Sequence, residues 1–308
     1  MLLEVEVHAT SHIGRVRKGN EDNYLLLDVV NLRKWTAPED EFDIRSESFQ
    51  MDEDGGVVLA VSDGMGGALA GEVASKMTVE TIGNRLLGVD SENLALAENS
   101  SLIERLYEAT IYANKVVHTE QRRHAEYSGM GATLTAASIT ADAVDVVQIG
   151  DSRGYLIRNA QIHQLTKDQS LVQQLVDAKQ IRPEEAENHI MKNVILQAIG
   201  AQSEVYPVVV RFCPQRDDIL LLCSDGLSNK LRANDILNIV LDNLDDLRNA
   251  CFSLIKQANE RGGEDNITVV LARLKGSALP EPTEEEIKVE PINFESIHDT
   301  AEEQTKGL

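Results

Sequence analysis

Short apolar runs, separated by polar and turn-forming stretches, set the pattern of this chain. Residues 3–7 alternate apolar and acidic positions, the period of a strand with one face buried. Residues 24–30, 57–61, 133–139, 144–149, 155–158, 205–212, 219–223 and 267–271 are rich in apolar and β-branched residues and predict further strands. Ile103, Leu106, Thr110, Ala113 and Val117 recur at helical spacing, as do Leu247, Ala250, Leu254 and Ala258. Each set marks one face of an amphipathic helix. The strands come in groups with short connections instead of alternating one for one with helices. That order predicts antiparallel sheets packed with helices, an α+β fold.

Three stretches break the pattern. Residues 31–56 are polar, acidic and rich in turn formers, include the only tryptophan, Trp35, and are expected to form a surface loop. Residues 167–200 read as a second insertion, with helical spacing around Leu171, Leu175 and Val176 and a break at Pro183. Residues 281–308 hold nine acidic and two basic residues with few bulky apolar ones, so this tail is expected to be disordered.

The candidate chemistry sits where strands begin and end. Three predicted strands run into Ser62-Asp63-Gly64-Met65-Gly66-Gly67, Gly150-Asp151-Ser152-Arg153-Gly154 and Ser224-Asp225-Gly226. Two more acidic sites come just before strands: Asn20-Glu21-Asp22-Asn23 and Gly262-Gly263-Glu264-Asp265-Asn266. In an antiparallel sheet the start of one strand lies beside the end of its neighbour, so all five sites can gather at one edge. So many carboxylates cannot all stay ionised together without cations between them. Oxygen ligands suit hard ions such as Mg²⁺ and Mn²⁺. No His-Glu-x-x-His motif and no paired cysteines point to zinc. One Asp-Gly is an ordinary turn; five acidic sites on strand boundaries are a pattern.

Charge narrows the function further. With 51 acidic against 29 basic residues the formal net charge is -22, which argues against nucleic acid and anionic membranes as partners. Cys213, Cys223 and Cys251 are too few and scattered for a disulfide framework and suit a reducing compartment. No apolar run approaches the ~20 residues of a membrane helix. Glu4 and Glu6 stand where a signal peptide would be basic and then apolar, so the expected location is the cytoplasm.

Taken in order, the motifs resemble the bacterial metal-dependent serine/threonine protein phosphatases of the PPM type. The matching segments are Gly14-Arg15-Val16-Arg17-Lys18-Gly19-Asn20-Glu21-Asp22, Asp63-Gly64-Met65-Gly66-Gly67 and Gly129-Met130-Gly131-Ala132-Thr133-Leu134. They continue through Gly150-Asp151-Ser152-Arg153, Leu165-Thr166-Lys167-Asp168, Ser224-Asp225-Gly226-Leu227 and Gly263-Glu264-Asp265-Asn266-Ile267-Thr268. The resemblance implies one catalytic domain over residues 1–275, an αββα sandwich with its metal centre at one end, followed by the tail 276–308. It implies that Asp63 bridges two Mn²⁺ or Mg²⁺ ions, that the Gly64 carbonyl binds one of them, and that Asp225 and Asp265 complete the other. Glu21 and Asp22 would act mostly through metal-bound water, and Asp151 would share a third, weaker ion with Asp225. Arg17 would grip the substrate phosphate, and residues 167–200 would form a flap beside the site.

The expected reaction is hydrolysis of phosphoserine or phosphothreonine in proteins by direct attack of a metal-bridging hydroxide. Many animal relatives carry a histidine where this chain has Met65, and methionine cannot donate a proton to the leaving group. Two alternatives stay open on the residues: a catalytically weak phosphoprotein-binding regulator, and a small-molecule phosphoesterase. The expected partners are phosphorylated proteins, met by a monomer.

Overall fold

Apolar runs with no polar alternation need two buried faces, and a sandwich of sheets covered by helices supplies them. The structure, a computed structural model, describes residues 2–38, 43–52, 55–89, 100–186 and 189–294. Its strands are β1 (Leu3–His12), β2 (Asp22–Asp28), β3 (Arg33–Thr36), β4 (Arg45–Met51), β5 (Val57–Met65), β6 (Gly131–Ala132) and β7 (Leu134–Ile139). They continue with β8 (Val144–Ile149), β9 (Arg153–Arg158), β10 (Gln161–Gln164), β11 (Val208–Phe212), β12 (Ile219–Cys223), β13 (Ile267–Lys275) and β14 (Glu290–Ile292). The helices are α1 (Ala68–Leu86), α2 (Leu102–Arg123), α3 (Leu171–Asp177), α4 (Pro183–Ala186), α5 (Asp225–Ser228), α6 (Ala233–Leu241) and α7 (Leu247–Glu260).

One sheet has six strands in the order β10-β9-β12-β13-β1-β4; the other has eight, β14-β11-β8-β7-β5-β2-β3 with β6 beside β5. Alternate residues of the same strand serve two cores. Tyr24 and Leu26 of β2 and Val270, Ala272 and Leu274 of β13 face the space between the sheets. Leu25 and Leu27 turn outward onto α1 and α2, among Ile82, Leu86, Leu106 and Ala113. Val269 and Leu271 turn the other way, onto Leu247, Ala250, Leu254 and Ala258 of α7. The layers are therefore α, β, β, α, as expected from the motif order.

Helix α2 begins at Ser101, whose side chain and Glu104 form a capping box, and it buries the predicted face of Ile103, Leu106, Thr110, Ala113 and Val117. The sequence pattern did not single out α1. Its buried side begins with small residues, Ala70 and Ala74, and only later carries Val79, Ile82 and Leu86.

Two expectations are corrected. Residues 31–56 are not simply a surface loop: β3 extends the eight-stranded sheet and β4 the six-stranded one, so this segment crosses from sheet to sheet. Phe49 and Met51 on β4 are buried in the inter-sheet core, and Trp35 packs against it with its ring centroid 5.8 Å from that of Phe49. Only Phe49 and Met51 of β4 are apolar and buried, after four polar residues, so the apolar pattern is too short to mark a strand. The acidic tail is also ordered in part. Glu290–Ile292 pairs with β11, and Phe294 is buried with its ring stacked 4.6 Å from that of Tyr107. A few apolar residues dock it despite the surrounding charge; residues 295–308 lie outside the described residues.

Candidate metal and phosphate site

Strand register brings the acidic sites together. Asp22, at the start of β2, lies directly across from Asp63, near the end of β5. Cys223 at the end of β12 pairs with Val269, so Ser224 and Asp225 emerge beside the start of β13 and Asp265. Asp151 follows β8, whose last residue Ile149 pairs with Leu134. Three strand ends and two strand starts thus share one end of the sandwich.

The chain reaches this geometry through close backbone approaches that only glycine allows. A Cβ on Gly64 would collide with the Gly71 backbone in α1, and Gly64 N–H donates to the Glu21 carbonyl at 3.1 Å. A Cβ on Gly226 would collide with the Asn266 carbonyl. The first glycine locks β2, β5 and α1 around Glu21; the second lets the turn after β12 lie on the start of β13.

A set of hydroxyl and amide groups then orients the acids. Ser224 and Thr268 both donate to Asp22 Oδ2, each at 2.7 Å. Thr268 Oγ1 also meets Ser11 Oγ at 2.7 Å, and Asn20 donates to Ser11. The Asn266 amide donates to the Ile13 and Gly19 carbonyls and accepts from Glu21 N–H at 2.8 Å, tying the Arg17 segment to β13. Thr133 holds Asp63: its N–H donates to the Asp63 carbonyl at 2.8 Å, and its hydroxyl accepts from Asp63 N–H at 3.0 Å and meets Ser152 Oγ at 2.7 Å. Apart from Ser11, these orienting residues lay inside the quoted motifs, but nothing in one sequence told them apart from the acids they hold.

The electrostatics are those of crowded, buried carboxylates. Burial raises the Asp22 carboxyl to about 7, with Asp225 and Asp265 adding repulsion against the two hydroxyl hydrogen bonds. Asp63 is raised well above the usual range, by burial first and then by Asp22, Asp225, Asp151 and Asp265. Asp151 is pushed up to about 8 by burial, Asp225 and Asp168, with Arg153 opposing. Asp225 is raised to about 6 by burial and Asp265, against hydrogen bonds with Asp63 and Asn229 and the charge of Arg17. Burial also raises Glu21, with Arg17 opposing.

Arg17 lies against Asp265, its Nε 2.8 Å from Asp265 Oδ1 and its Nη2 3.0 Å from Asp265 Oδ2. Both partners are more than a third exposed. The guanidinium expected to grip phosphate therefore rests on one of the proposed metal ligands.

The donor set fits a hard cation. Asp22 Oδ1 and Asp225 Oδ1 are buried with no hydrogen-bond partner among the described residues. Such oxygens are costly to bury unless something positive faces them. Asp63 can serve Asp225 as a donor only while it carries a proton, which the raised Asp63 carboxyl permits. Among the described residues no three His, Cys, Asp or Glu side chains converge as a finished coordination shell. Arg17 and Asn229 draw off two carboxylates, and mutual repulsion spreads the rest.

A cleft of about 680 Å³ opens beside the cluster, with Asp151 and Asp225 in its lining. One wall comes from residues 167–200, which carry α3 and α4. Contacts at both ends anchor that segment to the sheet: Gln169 N–H donates to the Gly150 carbonyl at 2.9 Å, Lys167 N–H donates to Gln148 Oε1 at 3.1 Å, and Ile199 bridges to Ala132. Arg153 and Asp168 pair in the cleft through two contacts of 2.9 and 2.7 Å.

This fold with this end-of-sandwich cluster is shared with known proteins. A match to the family described as protein phosphatase 2C spans residues 39–271. The serine/threonine phosphatase stp of Listeria monocytogenes is 36% identical over 261 residues, covering 84% of this chain and 91% of its own length. The crystal structure of the Mycobacterium tuberculosis serine/threonine phosphatase PstP/Ppp superimposes with a TM-score of 0.70 at 32% identity, covering 89% of this chain and 100% of that one. A structure of the PstP catalytic domain in complex with 2 manganese ions gives a TM-score of 0.68 at 32% identity, over 89% and 100% of the two chains. The chain belongs to the protein phosphatase 2C family and is a metal-dependent serine/threonine protein phosphatase of the PPM type. Among the described residues no helix is long and apolar enough to cross a membrane.

Proposed function

We propose that the cluster of Asp63, Asp225 and Asp265, with the Gly64 carbonyl, holds two Mn²⁺ or Mg²⁺ ions for hydrolysis of phosphoserine and phosphothreonine in cytoplasmic proteins. The two orphaned carboxylate oxygens, Asp22 Oδ1 and Asp225 Oδ1, carry this reading, because they are buried beside three more acids and have no hydrogen-bond partner among the described residues. Divalent ions here would act as Lewis acids, lowering the pKa of bound water and neutralising the phosphate. Asp22 is held by Ser224 and Thr268, so one of its oxygens is fixed and the other is left for a cation or an ordered water. Glu21 borders the same space, and Asp151, beside Asp225, suits a third, weaker ion. Arg17 is placed to turn from Asp265 to a substrate phosphate, offering the same two-pronged fork. Met65 has no proton to give, so the leaving alkoxide would take its proton from water.

The location rests on free thiols: all three cysteines are unpaired, and Cys223 and Cys251 are buried. The whole candidate site lies within one chain, which a monomer suffices to provide.

The experiment is phosphate release from a phosphothreonine peptide after chelation and Mn²⁺ return. Activity should vanish with EDTA, recover with Mn²⁺, and fall by orders of magnitude in Asp225→Asn. Full turnover in verified absence of metal, or wild-type rates in Asp225→Asn, would remove the assignment.

A further inference from the structure

We propose that the cleft beside the carboxylate cluster is a subsite for acidic side chains flanking the phosphorylated residue of a protein substrate. The proposal rests on the phosphatase reading and gives it a substrate class. Lys192 reaches the cleft from one wall, and Lys230, Arg232 and Arg261 line it from the other. With Arg153 they make five cations in the lining against the carboxylates of Asp151, Asp168 and Asp225, a local positive excess in a chain of net charge -22.

Their neighbours temper them without cancelling them. Lys230 pairs with Glu264, whose charge Lys192 also feels, and Arg261 forks onto Asp235 at 2.7 and 3.0 Å, with Arg232 acting on the same carboxylate. Lower in the cleft, Asp168 is matched by Arg153. Glu264 and Asp235 do not line the opening, whereas the cations they hold do. A ligand in the cleft therefore meets Lys230 and Arg261 before the acids that hold them.

Chain geometry connects this rim to the chemistry. Asp225 opens α5, and Asn229 ends it by donating to Asp225 Oδ2 at 3.0 Å. The backbone then makes one more turn, with Lys230 and Leu231 N–H both donating to the Leu227 carbonyl. Lys230 and Arg232 are thus carried by the segment that positions a proposed metal ligand. A phosphate seated at the carboxylate cluster would leave the adjoining peptide in this cleft. The volume, 680 Å³, has room for several side chains.

Carboxylates are the flanking groups this rim selects, since guanidinium forks accept them in two-pronged geometry and lysine adds point charges. The molecule's overall negative field acts against any acidic peptide. At about 0.15 M salt that field is screened beyond about 8 Å, so the nearest charges decide. Each exposed pair is worth up to about fivefold, and two or three together about tenfold.

The test uses the full Mn²⁺-loaded chain at that ionic strength. Substrates are phosphothreonine peptides identical except for Asp, Ala or Lys at the positions flanking the phosphothreonine, with an aryl phosphate alongside. The expected kcat/KM order is Asp over Ala over Lys, spread over about tenfold. Lys192→Glu combined with Arg232→Glu should flatten or invert that order. The readout is a ratio between peptides on one enzyme, so a loss common to all substrates cancels. If the double glutamate variant melts early, Lys192→Gln with Arg232→Gln is read by the same ratio and should flatten it. A wild-type order flat within twofold, or one that survives both double variants, overturns the subsite. Failure to release phosphate from every peptide and from the aryl phosphate would instead overturn the phosphatase reading, and the subsite with it.

Discussion

A single guanidinium shows how much one side chain is asked to do at this site. Arg17 rests on Asp265 through two short contacts at the open edge of the cluster. That pair is exposed, so its loss should change stability by less than ~1 kcal/mol. As the proposed phosphate ligand, Arg17 would contribute far more to catalysis. Losing a two-pronged contact to a phosphate held away from water costs about 2 to 4 kcal/mol, or roughly thirty- to a thousandfold in kcat/KM. Arg17→Ala should lose that factor on aryl phosphates and phosphopeptides alike, and Arg17→Lys should recover only part of it. Removing a cation from beside the carboxylates should leave Mn²⁺ affinity intact or higher, as titration calorimetry would show. An alanine variant within twofold of wild type on both substrates would remove Arg17 from the site.

Among the elements, the tail strand β14 is the one whose worth is easiest to measure. It closes an edge of the eight-stranded sheet by pairing with β11, and Pro291 is tolerated there because an edge position needs fewer donors. Phe294 anchors it against Tyr107 on α2. Burying a phenylalanine is worth about 1.5 to 3 kcal/mol. A chain ending at Leu279 should therefore melt several degrees lower, and Phe294→Ala should reproduce much of that shift. Neither change touches the cleft lining, so turnover of an aryl phosphate at 25 °C should hold. Melting temperatures equal to wild type within a degree would mean that the docked strand adds nothing in solution.

For the molecule as a whole, the carboxylate cluster couples folding to protons and metal. Asp22, Asp151 and Asp225 sit at about 7, 8 and 6, all above the ordinary 3.8. Between about pH 4 and 8 the folded, metal-stripped protein holds protons that the unfolded chain has released. Stability must then fall as pH rises through that window. Paired carboxylates such as Asp28 and Asp235 are held below their ordinary value, and their contribution is lost at more acidic pH. Metal-stripped protein should thus melt higher at pH 5.5 than at pH 8. Mn²⁺ should raise the melting temperature most at pH 8, because cation and proton compete for the same oxygens. A metal-free melting temperature that climbed from pH 5.5 to 8 would count against a crowd of mutually repelling buried acids.

What the sequence determined by itself is what consecutive residues can encode. The apolar runs at 57–61, 219–223 and 267–271 made core strands, and the faces of α2 and α7 could be read from spacing alone. The acids at strand boundaries could be named because antiparallel pairing puts starts beside ends. The tertiary structure decided what depends on residues far apart in the chain. Asp22 is oriented by hydroxyls 202 and 246 positions away, and Arg17 meets an aspartate 248 positions on. No local period reports such contacts, so Ser224, Thr268, Thr133 and Asn266 looked no different from other polar residues of their motifs. Edge strands β4 and β14 escaped notice for a related reason. An edge exposes one side, so two or three apolar residues such as Phe49, Met51 and Phe294 hold it in place, and only the packed sheet shows which ones count.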